Sequence, residues 1–126
     1  MTKTVIITGA SSGIGEELAH AAAAKHYNIV IAARSLDKLT AVKNHCDTIG
    51  GKTHVVVCDV SIKADCERLI NETIYQFGQL DLLINNAGIS MRALFADCDL
   101  SVIESVMAIN FWGTVYCTRY AMPYLL

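Results

Sequence analysis

No C-x-x-C pair occurs in this 126-residue chain, and its five cysteines (Cys46, Cys58, Cys66, Cys98 and Cys117) are odd in number. That argues against a zinc ribbon or a disulfide framework and leaves buried, reduced thiols of a cytoplasmic protein as the expectation. The four histidines (His20, His26, His45 and His54) show no ligand spacing, so no metal site is expected. Charge is sparse and balanced, with 10 basic against 12 acidic residues and a net charge of −2. Such a surface offers no stripe for nucleic acid or an anionic membrane. No basic-then-apolar leader is present, because Met1-Thr2-Lys3 runs straight into an apolar strand pattern. Although 53% of the residues are hydrophobic, no apolar run approaches the roughly eighteen residues of a membrane span. Linkers, repeats and low-complexity stretches are also missing. One domain over residues 1–126 is expected, long enough for a core yet shorter than whole dinucleotide enzymes usually are.

What is present centres on Thr4 to Gly15. Val5-Ile6-Ile7 is a β-branched run of the kind buried on both faces of a sheet. It breaks into Gly9-Ala10-Ser11-Ser12-Gly13-Ile14-Gly15 and continues from Glu16 to Ala24 as strong helix formers with acid in the first turn. A helix N-terminus carries unpaired N–H groups and partial positive charge, so it can seat a phosphate if no Cβ intervenes. Gly9 would release the chain from the strand, Gly13 would admit a pyrophosphate, and Gly15 would let the helix pack on the strand. Ser11 and Ser12 add hydroxyl donors. The spacing is G-x-x-x-G-x-G, longer between its first two glycines than the commonest dinucleotide fingerprint.

Further strands are expected at Asn28–Ala33, His54–Cys58 and Leu80–Ile84. Helices are expected over Leu36–Ile49, from an N-cap at Ser61 to Phe77, and from Asp99 or Ser101 to Tyr120. Ser101 and Glu104 have capping-box spacing, and Pro123 is expected to end or kink the last helix. Strands alternating with helices make an α/β fold with a parallel sheet. Right-handed crossovers give a doubly wound, Rossmann-like order 3-2-1-4, stopping before a fifth strand, with a ligand site where the order reverses. Gly9–Gly15 and Asn85–Gly88 both fall there.

The end of strand two selects the nucleotide. A carboxylate there would hold ribose hydroxyls and repel a 2′-phosphate. This chain has Ala33 followed by Arg34, whose guanidinium can fork onto phosphate, with Ser11 and Ser35 near it. NADP(H) is therefore favoured over NAD(H).

Thr8-Gly9-Ala10-Ser11-Ser12-Gly13-Ile14-Gly15, Asp59-Val60, Asn85-Asn86-Ala87-Gly88, and Asn110 followed by Gly113-Thr114 together resemble the N-terminal half of the short-chain dehydrogenase/reductase family. The likeness covers essentially the whole chain. It implies that Asp59 bonds the adenine amino group beside the Val60 backbone. It implies too that Asn86, Ala87 and Gly88 line the ribose side of the nucleotide and that Ile109 lies near the cofactor. By the same likeness Asn110 is the asparagine that bends the long helix and holds a water in the proton relay. The implied parent is a homo-oligomeric oxidoreductase that passes hydride between a nicotinamide and a small-molecule carbonyl or alcohol.

The departure is in the catalytic residues. The family uses a serine after strand five and a tyrosine followed four residues later by lysine. Here Tyr27, Tyr75, Tyr116 and Tyr120 are followed at that spacing by Ile31, Gln79, Tyr120 and Tyr124. The sequence therefore reads as a cofactor-binding half, inactive alone. Alternatives are a non-catalytic NADP-binding regulatory module and a truncated fragment that self-associates through Leu80–Ile84, Phe111, Trp112, Val115 and Tyr116. Only Ser90–Cys98, with Arg92, would approach a substrate.

Overall fold

The computed structural model describes residues 2–88 and 99–125. Strands β1 (Thr4–Thr8), β2 (Asn28–Ala33), β3 (Lys52–Val57) and β4 (Leu82–Ile84) form one parallel sheet in the order β3-β2-β1-β4. Between them run helices α1 (Gly13–Ala24), α2 (Leu36–Ile49) and α3 (Lys63–Phe77). After β4 comes α4 (Leu100–Met107), which passes through a π-helical segment at Ala108–Trp112 into α5 (Gly113–Leu125). The expected α/β class and strand order are both found.

Alternation along the strands divides the core in two. Val5, Ile7, Ile29 and Ile31 pack with Ala19, Ala23, Leu39, Val42 and Cys46 of α1 and α2. On the other face Ile6, Val30, Ala32 and Val56 meet Cys66, Leu69 and Ile70 of α3 and Cys117 and Ala121 of α5. With both faces covered, all five residues of β1 are buried, as a continuous apolar run in a central parallel strand requires.

Several boundaries differ from expectation for identifiable reasons. Helix α1 begins at Gly13 rather than Glu16, because the Glu16 N–H already donates to the Ser12 carbonyl at 3.3 Å. Strand β3 starts two residues early, since Lys52 pairs with Asn28. Strand β4 starts two residues late. Asp81 is occupied instead in bonding Thr4, its N–H to the Thr4 carbonyl (2.9 Å) and its carboxylate to the Thr4 N–H (2.8 Å). Ser61 is not the N-cap of α3; that position belongs to Ile62, because the Ser61 hydroxyl and N–H both bond Asp59 Oδ1. Ser101 and Glu104 lie inside α4, whose N-cap is Asp99. Pro123 does not end the helix, since α5 runs on to Leu125. Only two helical residues follow it, so the bond its missing N–H forgoes falls in the last turn.

A further correction concerns length. The helix from Leu100 to Leu125 spans 26 residues and by length and composition alone could cross a membrane. No single apolar run in it is that long, but Glu104 and Arg119 are its only formal charges. In this fold it lies against α3 through Cys117 and Ala121.

Candidate functional site: a dinucleotide cleft

A cleft of about 430 Å³ opens over the carboxyl ends of the four strands. The β1–α1 turn forms one wall. Gly9 has a φ of +63°, and a methyl group there would lie 2.8 Å from the Ala87 Cα, so only glycine lets this turn pass the end of β4. Gly15 is buried, and a Cβ there would run into the Gly9 carbonyl and sit 2.6 Å from Asn86 Nδ2. Gly13 also has a positive φ, +59°, yet a Cβ there would meet no protein atom within 4 Å. Its bareness matters to whatever stands in front of it. Ile14 points its side chain to solvent, 74% exposed, leaving only its backbone to serve a ligand.

Two side chains hold this wall in register. Thr8 Oγ1 accepts from the N–H groups of Asn86 and Ala87, both at 3.0 Å. Asn86 Nδ2 donates to the Gly9 carbonyl at 3.1 Å. Ser12 is the N-cap of α1 but its hydroxyl makes no capping bond. The first-turn N–H groups, at the positive end of the helix dipole, are therefore left to a ligand or solvent.

At the end of β2 the cleft is lined by Ala33, Arg34, Ser35 and Lys38, with Ser11 opposite. Ser35 caps α2 by accepting from the Lys38 N–H at 3.4 Å. Among the described residues neither the Arg34 guanidinium nor the Lys38 ammonium has a carboxylate partner. At the end of β3, Asp59 Oδ1 accepts from the Ser61 N–H (3.0 Å) and hydroxyl (2.6 Å), while the Asp59 N–H donates to Asp65 Oδ2 (3.0 Å). These bonds fix the Asp59-Val60 bend at the rim.

Cys58 floors this end of the cleft. Its thiol pKa is pushed up by a hydrogen bond with Cys66 and by burial. That of Cys66 is pushed up to about 12, chiefly by its hydrogen bond with Cys117. Thiols held protonated in this way are packing groups at neutral pH, not nucleophiles.

The end of β4 supplies Asn86, Ala87 and Gly88, and the π-helical segment supplies Ile109. Asn110, in the same segment, brings its Oδ1 to 3.2 Å from where a Gly88 methyl would be. Gly113 meets Val60 more closely still, a Cβ there falling 2.7 Å from Val60 Cγ2. Asn85 Nδ2 donates to Thr118 Oγ1 at 3.2 Å and ties β4 to α5.

The fold thus gathers Gly9, Ser11, Ser12, Arg34, Asp59, Val60, Asn86, Ala87, Gly88 and Ile109 around one cleft. Gly13 and Gly15 lie next to it in the first turn of α1, Gly13 open and Gly15 packed, and Asn110 lies next to Gly88. The expected substrate-side loop Ser90–Cys98, with Arg92, lies outside the described residues. The cleft has seats for anions and one carboxylate, but no histidine or tyrosine among its described lining. Such a set can bind and orient an anionic ligand.

Residues 3–126 match the family model for short chain dehydrogenase. The chain belongs to the short-chain dehydrogenase family. Among curated relatives it is 46% identical over 125 residues to 11-beta-hydroxysteroid dehydrogenase of Pinus massoniana, an alignment covering 98% of this chain and 35% of that protein. It is 45% identical to 11-beta-hydroxysteroid dehydrogenase-like 4A of Arabidopsis thaliana, covering 42% of it. The chain therefore spans well under half the length of these relatives. Among solved structures, the Thermococcus sibiricus alcohol dehydrogenase complexed with 5-hydroxy-NADP superposes with a TM-score of 0.96 at 26% identity, covering 99% of this chain and 54% of that one. A short-chain dehydrogenase/reductase from Burkholderia phymatum in complex with NAD gives 0.96 at 27%, covering 99% and 44%.

Sequence reasoning missed Thr8 and Lys38. Thr8 works across 78 residues, and a threonine before a glycine carries no local sign of that. Lys38 could have been found, since the third position of a helix capped by Ser35 lies at that helix's N-terminus.

Proposed function

We propose that this chain is the cofactor-binding half of an NADP(H)-dependent oxidoreductase acting on a carbonyl or alcohol. The observation that carries the reading is Arg34, which lines the cleft just after Ala33 and has no carboxylate partner among the described residues, where an NAD-selecting carboxylate would otherwise stand. The residues fit the cofactor. The bare first turn of α1 would take the pyrophosphate, Asp59 the adenine, and Arg34 with Ser11 and Ser35 a 2′-phosphate. Asn86, Ala87, Gly88 and Ile109 would flank the ribose and nicotinamide side, with Asn110 positioned behind them for the proton relay. When bound, the cofactor supplies the hydride donor or acceptor. The chain's own residues hold and orient it and shield its flank from water. The serine and the Tyr-x-x-x-Lys that such chemistry needs would come from the rest of the parent, so the 126 residues alone would not turn over.

The relatives' names make a hydroxysteroid and its ketone the first substrates to try. The deciding test is Arg34→Asp in the full-length protein, with binding of NADPH and NADH measured by calorimetry. A shift of preference toward NADH by at least about tenfold is expected, from losing a phosphate partner and adding a like charge. An unchanged NADPH/NADH ratio discards the assignment.

A further inference from the structure

We infer that Lys38 is a second specificity-determining residue of the cleft, sharing with Arg34 the charge of a phosphomonoester on the adenosine ribose. The inference rests on the NADP(H) reading and deepens it. Lys38 occupies the third position of α2 behind the Ser35 N-cap. Side chains in a helix lean toward its N-terminus, so the Lys38 stem runs back toward the cleft, which it lines together with Arg34, Ser35 and Ser11. Its neighbour Leu39 is fully buried and anchors that turn of α2 against the sheet. Among the described residues the Lys38 ammonium has no ion pair, whereas Lys43 on the same helix is paired with Asp47 at 2.6 Å.

The charge balance supplies the reason for two cations. A phosphomonoester carries between one and a half and two negative charges near pH 7, roughly, and one guanidinium neutralises only one of them. The forked guanidinium can fix two oxygens in plane, while a lysine acts as a movable point charge toward the third. The two cations also raise the local concentration of any nucleotide bearing that extra phosphate. Lys38 has no such role toward a dinucleotide with a free ribose 2′-hydroxyl.

The test is NADPH and NADH binding to the full-length protein and to Lys38→Gln, Lys38→Arg and Arg34→Ala, each checked for an unchanged circular dichroism spectrum. Lys38→Gln is expected to weaken NADPH roughly five- to tenfold, with NADH unchanged within about twofold and Lys38→Arg close to the parent. The salt dependence of NADPH binding should also flatten in Lys38→Gln. Equal weakening of both nucleotides, or none of either, overturns the role of Lys38. If Arg34→Ala still removes discrimination in that case, the NADP(H) reading survives without Lys38. If the unsubstituted protein fails to prefer NADPH, that reading falls and the inference with it.

Discussion

The two sides of the sheet are finished to different degrees. On the β1–β2 side, α1 and α2 close over strands whose inward residues are buried, and the turn above them is held by glycine contacts and by Thr8. Toward β4 the finish stops. Leu82 is 46% exposed, α4 has no buried residue, and Phe111 and Trp112 stay 50% and 46% exposed. The difference teaches where each region draws its order. The glycine wall is ordered by contacts inside this chain, whereas the helix from Leu100 onward presents apolar surface of a kind that proteins normally cover. Binding geometry sits at the seam, because Asn86, Gly88 and Ile109 come from the less finished side.

The largest expected effect breaks the seam itself. Gly15→Ala forces a methyl into the Gly9 carbonyl and against Asn86 Nδ2. Overpacking against backbone should cost about 3 kcal/mol, read as a lowered urea midpoint. Gly13→Val is its counterpart. The added side chain meets no protein atom near its Cβ, so the cost is the positive φ alone, about 1–2 kcal/mol. Nucleotide binding should nevertheless vanish, because the new atoms stand at the phosphate seat. A Gly13→Val protein that unfolds like Gly15→Ala, or that still binds NADPH, would erase the distinction between a structural glycine and a ligand-facing one.

How far the two regions were legible follows the same division. The strand order and the glycine turn could be read early because each is a local pattern with a fixed consequence, and Arg34 could be placed at the cleft, which it lines. Gly15 was assigned close packing from its place in the turn, and the Gly9 carbonyl is what it packs against. What escaped was decided by distant partners. Asp81 spends itself on Thr4 and so shortens β4, and Asp59 captures Ser61 before it can cap α3. The π-helical segment at Ala108–Trp112 has no periodicity of its own to betray it.

A smaller effect comes from the thiols, which lie on both sides of the sheet. Burial is the main cause that pushes the Cys46 pKa up to about 11, with Asp47 and Glu16 adding to it. The unfolded chain releases this proton near pH 9 while the native state keeps it, so the native state binds more protons above that pH. Stability should therefore fall as pH rises from about 9 to 11, by about 1.4 kcal/mol per unit for each such thiol. Urea unfolding at pH 7, 9 and 10.5 measures the slope, and Cys46→Ala should flatten it by one thiol's share even if its midpoint is lower throughout. An identical slope in Cys46→Ala would mean that Cys46 ionises freely in the native state.

The smallest effect on stability belongs to the exposed helix. Phe111 and Trp112 touch edge to face at 5.2 Å, and Trp112 stacks on Tyr116 at 5.9 Å. Tyr116 packs against the core, while the Phe111 and Trp112 rings lie half-exposed outside it. Replacing both with serine should change unfolding free energy by less than about 1 kcal/mol, in keeping with surface positions. The same change should alter association strongly if the chain self-associates, because an open aromatic cluster is the kind of surface through which copies would meet. Sedimentation velocity on the chain and its Phe111→Ser/Trp112→Ser variant separates the two readings. Higher-mass species in the parent chain and a monomer in the variant would mark this helix as the region that depends on outside cover. A variant that loses several kcal/mol would instead show that the rings stabilise the fold from within, and the two sides of the sheet would be less different than their exposure suggests.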